Sequence, residues 1–301
     1  MFSIFKKRCW LAGAFAIIGV SLALPALGEA AEFKIGAIGE PLGELNMQVW
    51  RVPVQLRDGS GTITLEATVF KPNGEGPFPL AVFNHGMAAD APTDGAYDFR
   101  PDAAIRWFLA RGYAVATLIR RGYGRSEGVR SVVPDGDASG LIKVLEERVH
   151  DINSSVRYFQ EQAFVTGDHV VLVGLSAGGN GVLAASRKAP KGVRGVIAFA
   201  PGTLTVDEYT AEDLELAERG FRMFGDGTTL PTLWIYTEND EFYSPMLARS
   251  FFEAYTSESD AGQELALLPL EGEDGHDLFL RNDGPNVWGP IVEPFLERVM
   301  P

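Results

Sequence analysis

The stretch Val170-Val171-Leu172-Val173-Gly174-Leu175-Ser176-Ala177-Gly178-Gly179-Asn180-Gly181 decides the fold. An apolar, β-branched run stops at a glycine, presents one serine and continues into small residues. That pattern builds a strand, a tight turn and a helix, with a hydroxyl at the apex of the turn. So sharp a turn strains the backbone at the serine and crowds its neighbours. Glycines two before and two after it, Gly174 and Gly178, relieve the crowding. The turn also aims the first helical N–H groups at the Ser176 hydroxyl, where they can stabilise an oxyanion.

The same five-residue pattern occurs once more, as Gly124-Arg125-Ser126-Glu127-Gly128. Its context is wrong. The strand before it ends near Ile119, with Arg120-Arg121-Gly122-Tyr123 intervening, and the following Val129 to Gly140 contains Pro134, Gly136 and Gly140 and cannot be a helix. Glu127 places a charge where the turn needs a small residue. Ser126 therefore reads as part of a loop at the rim of a site rather than as a nucleophile.

The rest of the chain alternates between two periods. Gln48 to Leu56 and Thr62 to Phe70 alternate as a strand pair across the turn Asp58-Gly59-Ser60-Gly61. Pro79 to Asn84 is an apolar run ending at His85-Gly86, and Tyr113 to Ile119, Val193 to Phe199, Leu233 to Tyr236 and Leu265 to Leu270 are further buried-type strands. Helical spacing appears over Pro101 to Arg111, Leu141 to Gln162, Ala177 to Arg187, Asp207 to Met223, Pro245 to Tyr255 and Val287 to Val299. Such alternation predicts a mostly parallel sheet covered on both faces, with ligands beyond the carboxyl ends of its strands.

A serine hydroxyl needs a base, and histidine suits the task near neutral pH. Of four histidines, His169 opens the elbow's own strand at the wrong end, and His150 lies within a helix running back along the sheet. His85 ends a strand beside a glycine and reads as structural, orienting its loop, with catalysis as the lesser alternative. His276 follows the last strand in Gly275-His276-Asp277, and by elimination it is the base. Asp240, in Thr237-Glu238-Asn239-Asp240-Glu241, is the acid expected to hold the imidazole, with Glu238 and Glu241 as rivals and Asp277 as a solvated charge. The expected oxyanion donors are the N–H groups of Ala177 and Met87, because Gly86 lets the backbone turn inward there. Phe221, Phe224, Phe242 and Tyr243 are candidate lining residues, with core packing as the alternative.

Lys6-Lys7-Arg8, the uncharged run Trp10 to Leu24 and the small residues Ala26, Gly28, Ala30 and Ala31 read as a secretory signal over residues 1–28. The apolar run is about 15 residues long, short for a membrane span of roughly 20. Residues 29–301 then form a single domain in a secreted or periplasmic protein, with no stable membrane span after cleavage. Cys9 is the only cysteine, so the processed chain has neither a thiol nucleophile nor a zinc–thiolate site. Removing residues 1–28 takes away three positive charges and no negative ones, moving the formal charge from −14 to −17. So acidic a surface disfavours nucleic acid as a partner.

Together these residues resemble the α/β-hydrolase superfamily, specifically its dienelactone-hydrolase-like and prolyl-oligopeptidase-related serine hydrolases. The features that carry the resemblance are Pro79 to Gly86, Gly174 to Gly178, and Asp240 followed by Gly275-His276. Arg121 to Gly128 is similar to the R-G-x-G-x-S-x-G loop of these families, which implies a structural role for Ser126. Dienelactone hydrolase itself has cysteine where Ser176 stands, so lactone activity does not carry over. The resemblance implies an α/β-hydrolase fold and acyl transfer to water through Ser176, and the segment Leu204 to Leu230, barely longer than a plain crossover with its helix, leaves room for a minimal lid only. It calls for no cofactor and no metal. The expected substrate is a small ester, with a serine peptidase of aminoacyl or X-Pro type, or a non-catalytic ligand-binding protein, as alternatives. Nothing in the sequence sets the oligomeric state.

Overall fold

The strand that carries the serine, Val165–Leu175, lies at the centre of a nine-stranded sheet, and its sequence explains why. Val170 and Leu172 are fully buried on one face, and Val171 and Val173 on the other. Only a strand with helices on both sides needs an apolar residue at every position. In the computed structural model described here, residues 35–87, 97–131, 138–202, 210–257, 259, 261–269, 272 and 274–301 are described. The signal-sequence reading of residues 1–28 lies outside them.

In chain order the elements are β1 (Gly36–Leu42), β2 (Met47–Gln55), β3 (Thr62–Phe70), β4 (Phe78–Asn84), α1 (Asp102–Leu109), β5 (Ala114–Leu118), α2 (Ala138–Gln160), β6 (Val165–Leu175), α3 (Ala177–Ser186), β7 (Val193–Phe199), α4 (Ala211–Gly225), β8 (Thr232–Thr237), α5 (Pro245–Thr256), β9 (Gln263–Leu268) and α6 (Gly284–Val299). The strand order is β1-β2-β3-β5-β4-β6-β7-β8-β9. The first three strands are antiparallel to their neighbours, and β4 through β9 are parallel to one another.

Alternate residues of each central strand feed two separate cores. Leu80, Val82, Leu172, Val196 and Trp234 pack with α2, α3, α4 and α5 residues such as Leu145, Val182, Phe221 and Phe251. Ala81, Phe83, Val173, Ile197 and Ile235 pack with α1 and α6 through Ile105, Phe108, Trp288 and Phe295. Both faces are thus sealed, and the polar chemistry is left to the ends of the strands. Among the described residues no helix is long and apolar enough to cross a membrane.

Strand β1 is absent from the sequence-based expectation. Its sequence, Gly-Ala-Ile-Gly-Glu-Pro-Leu, has no apolar alternation, because it lies half-exposed at the sheet edge and leans on β2 alone. The last strand begins two residues earlier than Leu265, since pairing with β8 sets its register from Gln263. Of the candidate lining aromatics, Phe221 belongs to the core, stacked 4.9 Å from Phe251 and 5.3 Å from Trp234. Phe224, 5% exposed, packs there too.

Candidate active site

Ser176 sits between β6 and α3 with φ 53° and ψ −120°, a region that side-chain-bearing residues rarely enter. Its N–H donates to Phe199 O at 2.8 Å, and its carbonyl accepts from Asn180 N at 2.9 Å, so neighbouring strand and helix hold the turn in place. The glycines around it are required by contact. A Cβ on Gly174 would lie 2.4 Å from Gly178 O, and one on Gly178 would lie 2.2 Å from Asn84 O. A Cβ on Gly86 would come within 3.3 Å of the Ser176 Cβ, so the chain leaving β4 passes directly beside the serine. Of the two expected oxyanion donors, Ala177 directly follows Ser176 and opens α3, and Met87 directly follows Gly86.

The acid and the base come from the ends of β8 and β9. His276 Nδ1 lies 3.1 Å from Asp240 Oδ2 and 3.2 Å from Oδ1. Asp240 is buried, and its Oδ1 also accepts the backbone N–H groups of Phe242 and Tyr243 at 2.9 and 2.8 Å. The rival carboxylates Glu238 and Glu241 are exposed, as is Asp277. The imidazole rests against two rings, Phe242 at 4.5 Å and Tyr243 at 5.6 Å between centroids. Tyr243 itself is fixed by Gly202, where a Cβ would fall 1.9 Å from its ring.

One positioning residue escaped the sequence reading. Asp274 Oδ1 accepts the N–H of His276 at 2.9 Å and that of Glu241 at 3.0 Å, tying the loop that carries the base to the loop that carries the acid. The signal was present: an aspartate two residues before His276 is well suited to cap a short helical turn, and a 3-10 turn runs over Gly275–Asp277. Gly275 is equally constrained, since a Cβ there would meet the Thr237 hydroxyl at 1.8 Å.

The other histidines are otherwise engaged. His85 is fully buried, its Nδ1–H donates to Gly86 O at 2.7 Å, and its Nε2 accepts the Arg120 N–H at 3.1 Å. Those bonds assign the neutral ring with its proton on Nδ1. Burial, reinforced by the Arg120 charge, holds its pKa well below the usual histidine range. Unfolded, His85 titrates near about 6.5. As pH falls below that value the unfolded chain takes up a proton that the native state refuses, so stability is intact near neutrality and declines on acidification. The expected loss approaches about 1.4 kcal/mol per pH unit from this residue. Chemical denaturation of wild type and His85→Asn at about pH 7 and about pH 5.5 checks it, the variant showing the shallower decline. His150 Nε2 bonds Gln55 O at 2.6 Å, and His169 pairs with Asp168.

Ser126 has a structural occupation. Its Oγ donates to Ile119 O at 2.6 Å and accepts the Glu66 N–H at 2.8 Å, and the residue is 7% exposed. Glu127 accepts Thr64 N at 2.6 Å, and Arg121 pairs with both Glu147 and Asp151. The loop is a clasp joining β3, β5 and α2. Ser126→Ala strands two buried backbone groups, so unfolding free energy should fall by about 1–3 kcal/mol. Turnover of any substrate by the folded variant should stay within about threefold of wild type, as for a change outside the reacting groups.

Ser176, Asp240 and His276 follow one another at the carboxyl ends of β6, β8 and β9, with a strained serine between strand and helix. The chain has the α/β-hydrolase fold. Residues 82–225 match the family described as serine aminopeptidase, S33. The chain is 25% identical over 143 residues to the quorum-quenching protein AidA of Acinetobacter baumannii, a match covering 48% of this chain and 42% of that protein. It therefore spans less than half the length of that curated relative. Among solved structures, the Pyrococcus furiosus esterase Pf2001 superposes with a TM-score of 0.60 at 16% identity, covering 85% of this chain and 95% of that one. The Pyrococcus horikoshii acylaminoacyl peptidase gives 0.59 at 16% identity, covering 84% of this chain and 42% of that one.

Proposed function

We propose that the protein is a serine esterase acting through an acyl-enzyme on Ser176. The observation that carries this reading is the buried Asp240 carboxylate bonded to His276 Nδ1, in a chain whose strained serine turn stands at the same edge of the sheet. His276 takes the Ser176 proton as the hydroxyl attacks the ester carbonyl, then returns it to the departing alkoxide. Asp240 holds the ring with its proton on Nδ1, leaving Nε2 free to accept. The N–H groups of Ala177 and Met87 receive the carbonyl oxygen as it becomes negative. Water then repeats the attack on the acyl-enzyme, again with His276 as base.

Apolar side chains flank these positions. Met87 follows the glycine beside the nucleophile, Phe242 covers His276, and Met246 and Leu280 lie close along the chain to the acid and the base; all four are exposed. Exposed apolar groups gathered by chain position around one site suit an uncharged ester better than an ionic substrate. The coverage of 95% of an esterase against 42% of an acylaminoacyl peptidase points the same way. A peptidase reading draws on the match to a family described as serine aminopeptidase. Comparing p-nitrophenyl acyl esters of varied chain length with aminoacyl and prolyl anilides decides between them. Ester kcat/KM should exceed that of every anilide; the reverse ranking would replace esterase by peptidase. For location we propose export through residues 1–28, tested by fractionating cells and sequencing the mature N-terminus.

A further inference from the structure

Two arginines outside the proposed triad are fastened to the backbone on either side of Ser176. Arg120, just past β5, is 7% exposed, and its Nη2 donates to Gly86 O at 2.7 Å. Arg148, on α2, brings Nη1 to 3.5 Å from Ala177 O. Neither guanidinium has a carboxylate partner within salt-bridge distance among the described residues. The nearby carboxylates, Glu147 and Asp151, are turned onto Arg121, the first at 2.9 Å and the second through two hydrogen bonds. Arg120 also keeps a buried Nε without a hydrogen-bond partner.

These groups surround a cavity of about 20 Å³ lined by Arg120, Arg121, Arg148, Glu147 and Asp151 together with Tyr123 and Ser131. Three guanidiniums and two carboxylates leave one net positive charge around it. Loss of water, with the Arg120 charge second, pushes the Arg148 pKa down to about 9, and burial lowers that of Arg120 as well. Like charges drawn from water without a counter-charge are destabilising, and an anion between them reverses the sign of that contribution. The cavity's volume suits one water-sized occupant, which a halide matches.

We propose that this cavity binds one small monoanion, of which chloride is representative, held between the Arg120 and Arg148 guanidiniums so that it stiffens the two backbone segments flanking Ser176. The inference does not depend on which reaction the serine performs, so its test reads melting rather than turnover. At fixed ionic strength, replacing sodium gluconate by sodium chloride should raise Tm saturably, by roughly 3–6 °C at a concentration about tenfold above Kd. Folded Arg148→Gln should lose that response. Should the variant not fold, wild-type crystals soaked in sodium bromide give an independent readout, an anomalous peak between the two guanidiniums. Identical melting in the two salts, an empty cavity in bromide, or a chloride response retained by folded Arg148→Gln would each overturn the proposal.

Discussion

Ser176→Ala should lower kcat for a p-nitrophenyl ester by about 10⁵–10⁶-fold, to the residual level that oxyanion donors and binding alone sustain. The effect is large because the hydroxyl forms the covalent bond, and no other nucleophile stands at the elbow. Ser126, the one other serine in a G-x-S-x-G pattern, has its Oγ committed to Ile119 O and Glu66 N. Alanine keeps the Cβ and the φ of 53°, so the fold and Tm should change little. Ser176→Gly separates chemistry from strain. It should be equally inactive yet more stable than Ser176→Ala by about 1 kcal/mol, because glycine occupies that backbone region without penalty. Steady-state kinetics and chemical denaturation of the two variants check both halves. Full activity in Ser176→Ala would remove the elbow from the chemistry altogether.

Asp240→Asn should cost about 10⁴-fold in kcat while leaving the site assembled. Asp240 Oδ1 accepts the Phe242 and Tyr243 N–H groups, and the amide oxygen of asparagine can keep both bonds. Its NH₂ then takes the place of Oδ2, 3.1 Å from His276 Nδ1. Two donors cannot face each other, so the imidazole moves its proton to Nε2 and can no longer accept one from Ser176. A loss in kcat with KM little changed distinguishes this tautomer error from a damaged substrate pocket. Asp240→Ala differs, since it leaves the same backbone groups unbonded and should destabilise the acid loop as well.

The central strands and the elbow were legible because their constraint is written in residue type. Full burial demands an apolar side chain at every position from Val170 to Val173 of β6, and the turn demands glycine at 174 and 178. The histidine assignment followed from topology, since only a residue beyond the carboxyl end of a strand can reach the elbow. What stayed hidden is set by tertiary contact. Strand β1 carries no alternation because an exposed edge imposes none, and Phe221 was separable from Phe242 only once the face of α4 was seen to meet Phe251 and Trp234. Asp240 was the acid expected from the sequence, but its burial beside exposed Glu238 and Glu241 is a contrast that spacing does not encode. The link through Asp274 joins residues 33 apart along the chain and is visible only in space. Arg120 and Arg148 read as ordinary charges until the backbone carbonyls they bind, at Gly86 and Ala177, are known.

In the proposed mechanism His276, held by Asp240, makes Ser176 nucleophilic. A fluorophosphonate tests it directly, because it reports the activated hydroxyl without requiring the natural substrate. Incubation followed by peptide mapping should place one phosphonyl adduct on Ser176 in the wild type, and labelling should fall by orders of magnitude in folded His276→Ala. An adduct on Ser126 or another residue, or unreduced labelling of Ser176 without His276, would contradict the account.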